Sequence, residues 1–411
     1  MSLSHHMGRM SGRDPEESHR AATPLELLFD LTFVVAFSSA GSETAHFLEL
    51  GEIGPALLAF WFSIFAVSWA WINYSWLASA YDNDDVFFRI ATLVEMVGVL
   101  ILTLGIPPFF HSIQEGRHVD NSIMVAGYVV MRIAAIALWL RAAANDPVRR
   151  RTCLAYAANI GIAQAGWVVL IFLDLSLPMT FLLTALLSLF ELAGPVSAEL
   201  RYGRTPWNPH HIAERYGLLV IITLGEVILG TTLSISAVVH EEGWSAEAVL
   251  VASGGTLLAF AMWWMYFVLP VGELLERYPL RAFPWGYGHV FLFGSIAGVG
   301  AGLHVAANVI RDEAHVGALF AVLCVAVPLF AFELMAFTLF SLLVKEIDVF
   351  HVWTLAAAVA VLALGVVAVL LGATLGVSLV VLACSPVVIV VAYETVGHRH
   401  EAATLERALA R

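Results

Sequence analysis

The sequence predicts an all-α fold: a polytopic membrane protein of about twelve transmembrane helices in two related six-helix halves. Three observations carry this expectation. First, 60% of the 411 residues are hydrophobic and 13% are charged, against about a quarter charged in soluble domains. Second, apolar stretches of about 20 residues recur, each long enough as a helix to cross a bilayer core of about 30 Å. A transmembrane β-barrel would show short alternating segments instead. Third, two distant stretches open alike. Thr23-Pro24 and Asn208-Pro209 each set a capping residue before a proline in the first helical turn.

The spans are expected at 24–47, 54–80, 86–110, 120–142, 152–173, 177–198, 210–239, 246–270, 285–308, 314–344, 351–371 and 374–395. The first follows the Thr23-Pro24 cap and the seventh follows Asn208-Pro209. The third begins after the acidic loop Asp82-Asn-Asp-Asp85, and Pro107-Pro108 marks its end. The fifth follows Arg149, Arg150 and Arg151. The last two are split only by a tight turn around Gly372 to Gly376, which makes them a hairpin. Pro195, Pro270 and Pro328 are expected to end or kink their spans.

The organisation follows: a tail at 1–22, a first half at 23–200, a connector at 201–209, a second half at 210–395 and a tail at 396–411. With the N-terminus inside, sixteen Lys and Arg fall in cytoplasmic segments, including Arg399, Arg407 and Arg411. Only Arg117 and Arg311 fall outside, and Arg132 and Arg215 lie within spans. This asymmetry places both termini in the cytoplasm. Echoes between halves support duplication: Trp71 and Tyr74 against Trp263 and Tyr266, Arg89 and Gly98 against His289 and Gly298.

Several function classes recede. The net charge of −13 comes without a basic stripe, so nucleic acid is not an expected partner. Cys153, Cys324 and Cys384 lack the spacing of a disulfide or zinc framework. The polar first twenty residues lack the apolar core of a cleaved signal peptide. No cofactor is implied; the expected partners are the lipid bilayer and an unidentified small solute or ion.

Ionisable side chains inside spans are costly, and each is a site candidate. Glu26 fits a capping box with Thr23. Asp30 lies one turn further on the same face. Counted from the two prolines, Asp30 and Arg215 share a register, which points to a salt bridge if spans one and seven face each other. An opening pair would gate; a static pair would lock the halves. His211 shares a face with Arg215. His210, His211 and Glu214 have a spacing open to metal ligation or to plain solvation. His289 and Arg89 are candidates to join, Arg89 as a cation for Asp30 or Glu26. Deeper lie Glu95, Arg132, Glu191, Glu226 and Glu333. Arg132 is expected to pair with Glu95 or Glu191. An unpaired mid-membrane glutamate suits proton transfer, with Glu226 first and Glu95 second. Gly294, Gly298 and Gly302 form a small-residue stripe suited to helix packing. Trp61, Trp69, Trp71, Trp76, Trp263 and Trp264 line a cavity or sit at the interface.

Three motifs resemble a known family. Glu26-Leu-Leu-Phe-Asp-Leu-Thr-Phe-Val34 resembles the opening signature of the bacterial low temperature requirement A (LtrA) family. His211-Ile-Ala-Glu-Arg-Tyr-Gly-Leu218 with Leu224-Gly-Glu226 is similar to its second, and Tyr287-Gly-His289 with the three glycines to its third. The resemblance runs from about residue 20 to 395. It implies a multi-span inner-membrane protein, named for a cold-growth phenotype, and brings no substrate or reaction.

Transport or channel activity is the leading expectation, because it accounts for duplicated halves and deep carboxylates together. The runner-up is a membrane-embedded enzyme with a His/Glu site, whose best fragment is His210, His211 and Glu214, although the sequence has no His-Glu-x-x-His, no Gly-x-Ser-x-Gly and no nucleotide loop. A non-transporting structural or cold-adaptation protein would have a filled interior.

Overall fold

A computed structural model describes all residues except 1–7, 16, 18–19, 117–118, 174, 269–270, 347–348, 398–399 and 401–411, and the side chain of Glu242. Arg117, Pro270, Arg399, Arg407 and Arg411 therefore lie outside the described residues. Among those described there is no strand. The helices are α1 (Pro24–Glu49), α2 (Ile53–Tyr81), α3 (Val86–Leu104), α4 (Ile106–Glu115), α5 (Ser122–Asn145), α6 (Arg150–Ile171) and α7 (Leu177–Tyr202). Then follow α8 (Pro209–Glu242), α9 (Ala246–Phe267), α10 (Val271–Arg277), α11 (Ala282–Ile310), α12 (Ala318–Val344), α13 (Val349–Leu370) and α14 (Leu375–Ala392). A π-helical turn, Tyr393–Gly397, extends α14.

Among the described residues twelve segments are long and apolar enough to span, with α3 and α4 counted as one and α9 and α10 as another. A helix suits lipid because it pairs every backbone group within its own segment. Their surfaces agree with that solvent. Leu27, Leu28, Leu31 and Val35 on α1 are all exposed, as are Leu93, Val97 and Leu100 on α3.

Local chemistry sets the boundaries. Thr23 and Glu26 form a reciprocal box: Thr23 N–H donates to Glu26 Oε2 at 2.8 Å, and Glu26 N–H donates to Thr23 Oγ1 at 3.2 Å. Asn208 caps α8 by accepting from His211 N–H at 2.9 Å. Asp85 caps α3 in the same way through Phe88 N–H. Gly372 takes φ +90° after α13, a left-handed position that suits glycine. Thr374 then caps α14, giving the expected hairpin turn. Pro107 and Pro108 behave differently from the expectation. They sit in the first turn of α4 and restart the helix after Gly105, because proline needs no donor there. Pro195 and Pro328 lie inside α7 and α12, so neither ends its span.

The chain divides into two compact units. The first comprises Met1–Ser39 and Phe65–Arg215. In it α3 packs on α5, α5 on α6 and α6 on α7. Helices α3 and α5 cross at glycines: an added Cβ on Gly127 would stand 2.5 Å from Gly98 O, and one on Gly98 would stand 2.7 Å from Gly127 O. The second comprises Ala40–Ile64 and Tyr216–Arg411. Its core is α11, whose span is 83% buried. The Gly294, Gly298 and Gly302 stripe of α11 lies against Trp61, Pro328 and Cys324, so it serves close packing.

Candidate functional site

The first unit holds a polar network built from three one-turn pairs on three helices. Helix α1 supplies Glu26 and Asp30, α2 supplies Trp71 and Ser75, and the start of α8 supplies His211 and Arg215. Each pair is spaced i, i+4, so both members lie on one face. Arg215 Nη2 donates to Asp30 Oδ1 at 2.7 Å and to Ser75 Oγ at 3.2 Å. Trp71 Nε1 donates to the same Asp30 oxygen at 2.7 Å. The Arg215 guanidinium also lies 5.6 Å from the centre of the Trp71 ring. His211 Nε2 stands 3.3 Å from Glu26 Oε1 and 3.4 Å from Oε2. Arg215 Nη1 lies 4.0 Å from Glu26 Oε1. The contact between Asp30 and Arg215 is the one that the shared proline register implies.

All four charged or titratable side chains are essentially inaccessible. Yet Glu26 Oε1, Asp30 Oδ2, His211 Nδ1, Arg215 Nε and Arg215 Nη1 make no hydrogen bond. Buried polar atoms are normally paired, and an unmade bond costs about 1–3 kcal/mol. Two carboxylates face one guanidinium. The network therefore has an excess negative charge while His211 is neutral and balances when His211 is protonated.

Described residues before α1 bond the end of α2 and the cap of α8 within the same unit. Arg20 donates to the carbonyls of Ala78, at 2.8 Å, and of Ser79, near the end of α2. Burial, with the Arg13 charge, lowers the Arg20 pKa to about 10. Arg13 N–H donates to Ala80 O at 3.0 Å, and Asn208 Nδ2 donates to Pro15 O and Glu17 O. In the loop after α2, burial and the Glu26 charge push Asp82 up to about 6, against help from Asp84 N–H, Arg20 and Arg13. Burial also pushes Asp85 up, but hydrogen bonds from Arg141 and Phe88 N–H outweigh it and hold Asp85 at about 2.

Other candidates fall elsewhere. Arg89 is not a cation for Asp30 or Glu26: it is exposed and bonds Asp84 at 2.7 Å, because its helix turns it to the loop. Glu214 is exposed too and accepts Ala22 N–H at 3.2 Å. Its neighbours His211 and Arg215 point inward, so helical geometry turns Glu214 out. Arg132 bonds Glu191 and not Glu95. Glu191 also accepts from Trp69 Nε1, at 2.5 Å, and Trp167 Nε1, so its carboxylate is held by donors from three helices. Glu95 is buried, and its Oε1 has no hydrogen-bond partner.

In the second unit Glu226 is 3% exposed, and its Oε2 would lie 3.5 Å from a Cβ on Gly41. Glu333 Oε1 lies 2.7 Å from Ser385 Oγ. His289 does not join a histidine cluster. Its Nδ1 faces Trp285 O at 2.8 Å and its Nε2 faces Tyr266 Oη at 3.0 Å. Among the described residues no three His, Cys, Asp or Glu side chains gather as metal ligands. Trp263 and Trp264 are exposed on α9, whereas Trp69 and Trp71 are carboxylate donors. The parts missed in the sequence are Ser75 and the donor role of Trp71. The spacing Trp71-x-x-x-Ser75 was the available signal.

The family described as bacterial low temperature requirement A protein (LtrA) matches residues 21–386. A relative is an uncharacterized protein of Rhizobium meliloti (strain 1021), 26% identical over 266 residues. That match covers 62% of this chain, and the chain spans 60% of the relative's length. With residues 21–386, most of its length, matched, this chain belongs to the bacterial low temperature requirement A family.

Proposed function

We propose that this protein is a proton-coupled secondary transporter of a small solute or ion, with Glu26, Asp30, His211 and Arg215 as its coupling site. The observation that carries this reading is the set of five unpartnered polar atoms inside one sealed, charge-imbalanced network. Such a network can take up a proton on His211, or on Asp30 when Arg215 swings away, and so exist in two charge states. Glu95 of the same unit, and Glu226 and Glu333 of the second unit, are the further candidate carboxylates for proton transfer. Arg132 and Glu191 hold helices in place.

In this reading the halves 23–200 and 210–395 descend from one six-span unit. The equal registers of α1 and α8 from Pro24 and Pro209 support that. The Lys and Arg asymmetry supports an inner-membrane location with cytoplasmic termini. A second reading, a non-transporting protein of membrane or cold adaptation, is favoured by the closure of the network to solvent.

The test is reconstitution in proteoliposomes loaded with a pH-sensitive dye. Panels of amino acids, organic acids, sugars and cations are applied under an imposed membrane potential. A solute that drives proton entry through the parent, but not through Asp30→Asn or His211→Gln, supports the proposal; Glu226→Gln should slow the same flux. A folded parent that moves neither protons nor any solute would sink it in favour of the second reading.

A further inference from the structure

A groove of about 870 Å³ opens on the second unit between α8, α9 and α14. Its walls are apolar: Ile228, Leu257, Phe260, Trp263 and Val387 lie along it. Its polar lining sits at Glu394 and Thr395, just past the end of α14, beside Trp264 near the end of α9. Trp264 Nε1 donates to Glu394 Oε1 at 3.0 Å, so these two helices finish at the same level. From Leu257 to Trp264 the groove follows two helical turns, about 10 Å at 1.5 Å per residue. That is roughly a third of a 30 Å hydrocarbon core. The groove is thus a slot along the spans, dry below and polar at one end.

That shape matches a phospholipid, with an acyl chain against α9 and a headgroup at the rim. The rim also selects the headgroup. The Trp264 indole N–H is committed to Glu394. The Thr395 hydroxyl donates to Val391 O at 2.7 Å. Among the described residues of the rim both donors are used, and what remains outward is a carboxylate and a hydroxyl lone pair, all acceptors. A headgroup that brings its own N–H donors and positive charge completes this arrangement. We infer that the α8–α9–α14 groove is a binding site for a phospholipid with a primary ammonium headgroup, in the leaflet on the Arg277 side of α9. The slot runs along Ile221, Leu224 and Ile228, the outer face of the helix that carries Glu226. A bound lipid would therefore bias the packing of α8.

The probes are phosphatidylethanolamine, phosphatidylcholine and phosphatidylglycerol of equal chain length, added to the delipidated full-length protein in detergent. Binding is read by native mass spectrometry and by thermal unfolding. The ethanolamine lipid should form a one-to-one adduct about three- to tenfold more abundant than either other lipid, the gain expected of one interfacial charge-assisted contact. Choline keeps the cationic charge without N–H donors, and phosphoglycerol lacks the cation, which leaves its lipid a net anion. Glu394→Gln should erase the preference while leaving the unfolding temperature without lipid unchanged. Leu257→Trp, at an exposed wall position, should lower the adduct for every lipid. Equal adducts for all three headgroups in the parent would show an unselective lipid annulus and overturn the inference. A preference that survives Glu394→Gln would overturn it as well.

Discussion

Removing both partners of the Asp30–Arg215 pair should cost clearly less than the sum of removing each one alone. Two unit charges about 4 Å apart attract by about 4 kcal/mol at an effective dielectric near 20. Stripping one partner from a buried pair costs about 3–5 kcal/mol, because the survivor keeps its desolvation without its compensation. In Arg215→Leu, Asp30 retains only the Trp71 indole, and Glu26 retains His211 and its Thr23 cap bond. A loss of about 3 kcal/mol or more is expected. In Asp30→Asn, Arg215 still sees Glu26 at 4.0 Å, so the loss should be smaller, about 1–3 kcal/mol. The double variant has neither orphaned charge, and its carboxamide oxygen can still accept from Trp71. It should lie well above the sum of the singles, with a coupling of about 2 kcal/mol. The assay is equilibrium unfolding in mixed detergent micelles, read by tryptophan fluorescence, for all four proteins. Additivity within about 0.5 kcal/mol would refute the reasoning.

Asp82 gives a pH prediction. Its pKa is raised from 3.8 to about 6 in the folded protein, so the folded state binds that proton more tightly. The resulting stability is full below about pH 4 and is lost as pH rises through 6, up to about 3 kcal/mol. Asp82→Asn, which keeps an acceptor for Asp84 N–H, should match the parent at pH 4 and exceed it at pH 7 in thermal unfolding. Equal unfolding temperatures at pH 7 would refute it. Gly127→Ala should part α3 from α5, where backbone atoms leave no room for a methyl group. A loss of about 1–3 kcal/mol is expected, and wild-type stability would show that the helices do not cross there.

Hydropathy made the spans legible because lipid demands long apolar helices whatever their neighbours. The Asp30–Arg215 contact was legible because equal helix starts impose equal registers. The choice of Glu191 over Glu95 for Arg132 was not, since sequence spacing carries no information on which distant helix packs on α5. Arg89 misled for a related reason. A residue one turn into a span can bend back to its own loop, and Asp84 was there to receive it. Pro107-Pro108 read as a stop because proline breaks a helix interior, but it fits equally in a first turn. The network's remaining members, Trp71 and Ser75, look in sequence like ordinary span residues. Only the angular position of α2 shows what they hold.

The Arg132–Glu191 contact also constrains how the protein is made. The arginine emerges from the ribosome 59 residues before its counter-charge. A lone arginine at the centre of a newly inserted helix costs at least about 2.5–3.5 kcal/mol in lipid. The fourth span therefore has reason to linger at the insertion machinery until the sixth arrives. Biogenesis of this region should proceed as a block of three helices released together, not as single spans handed one by one to the bilayer.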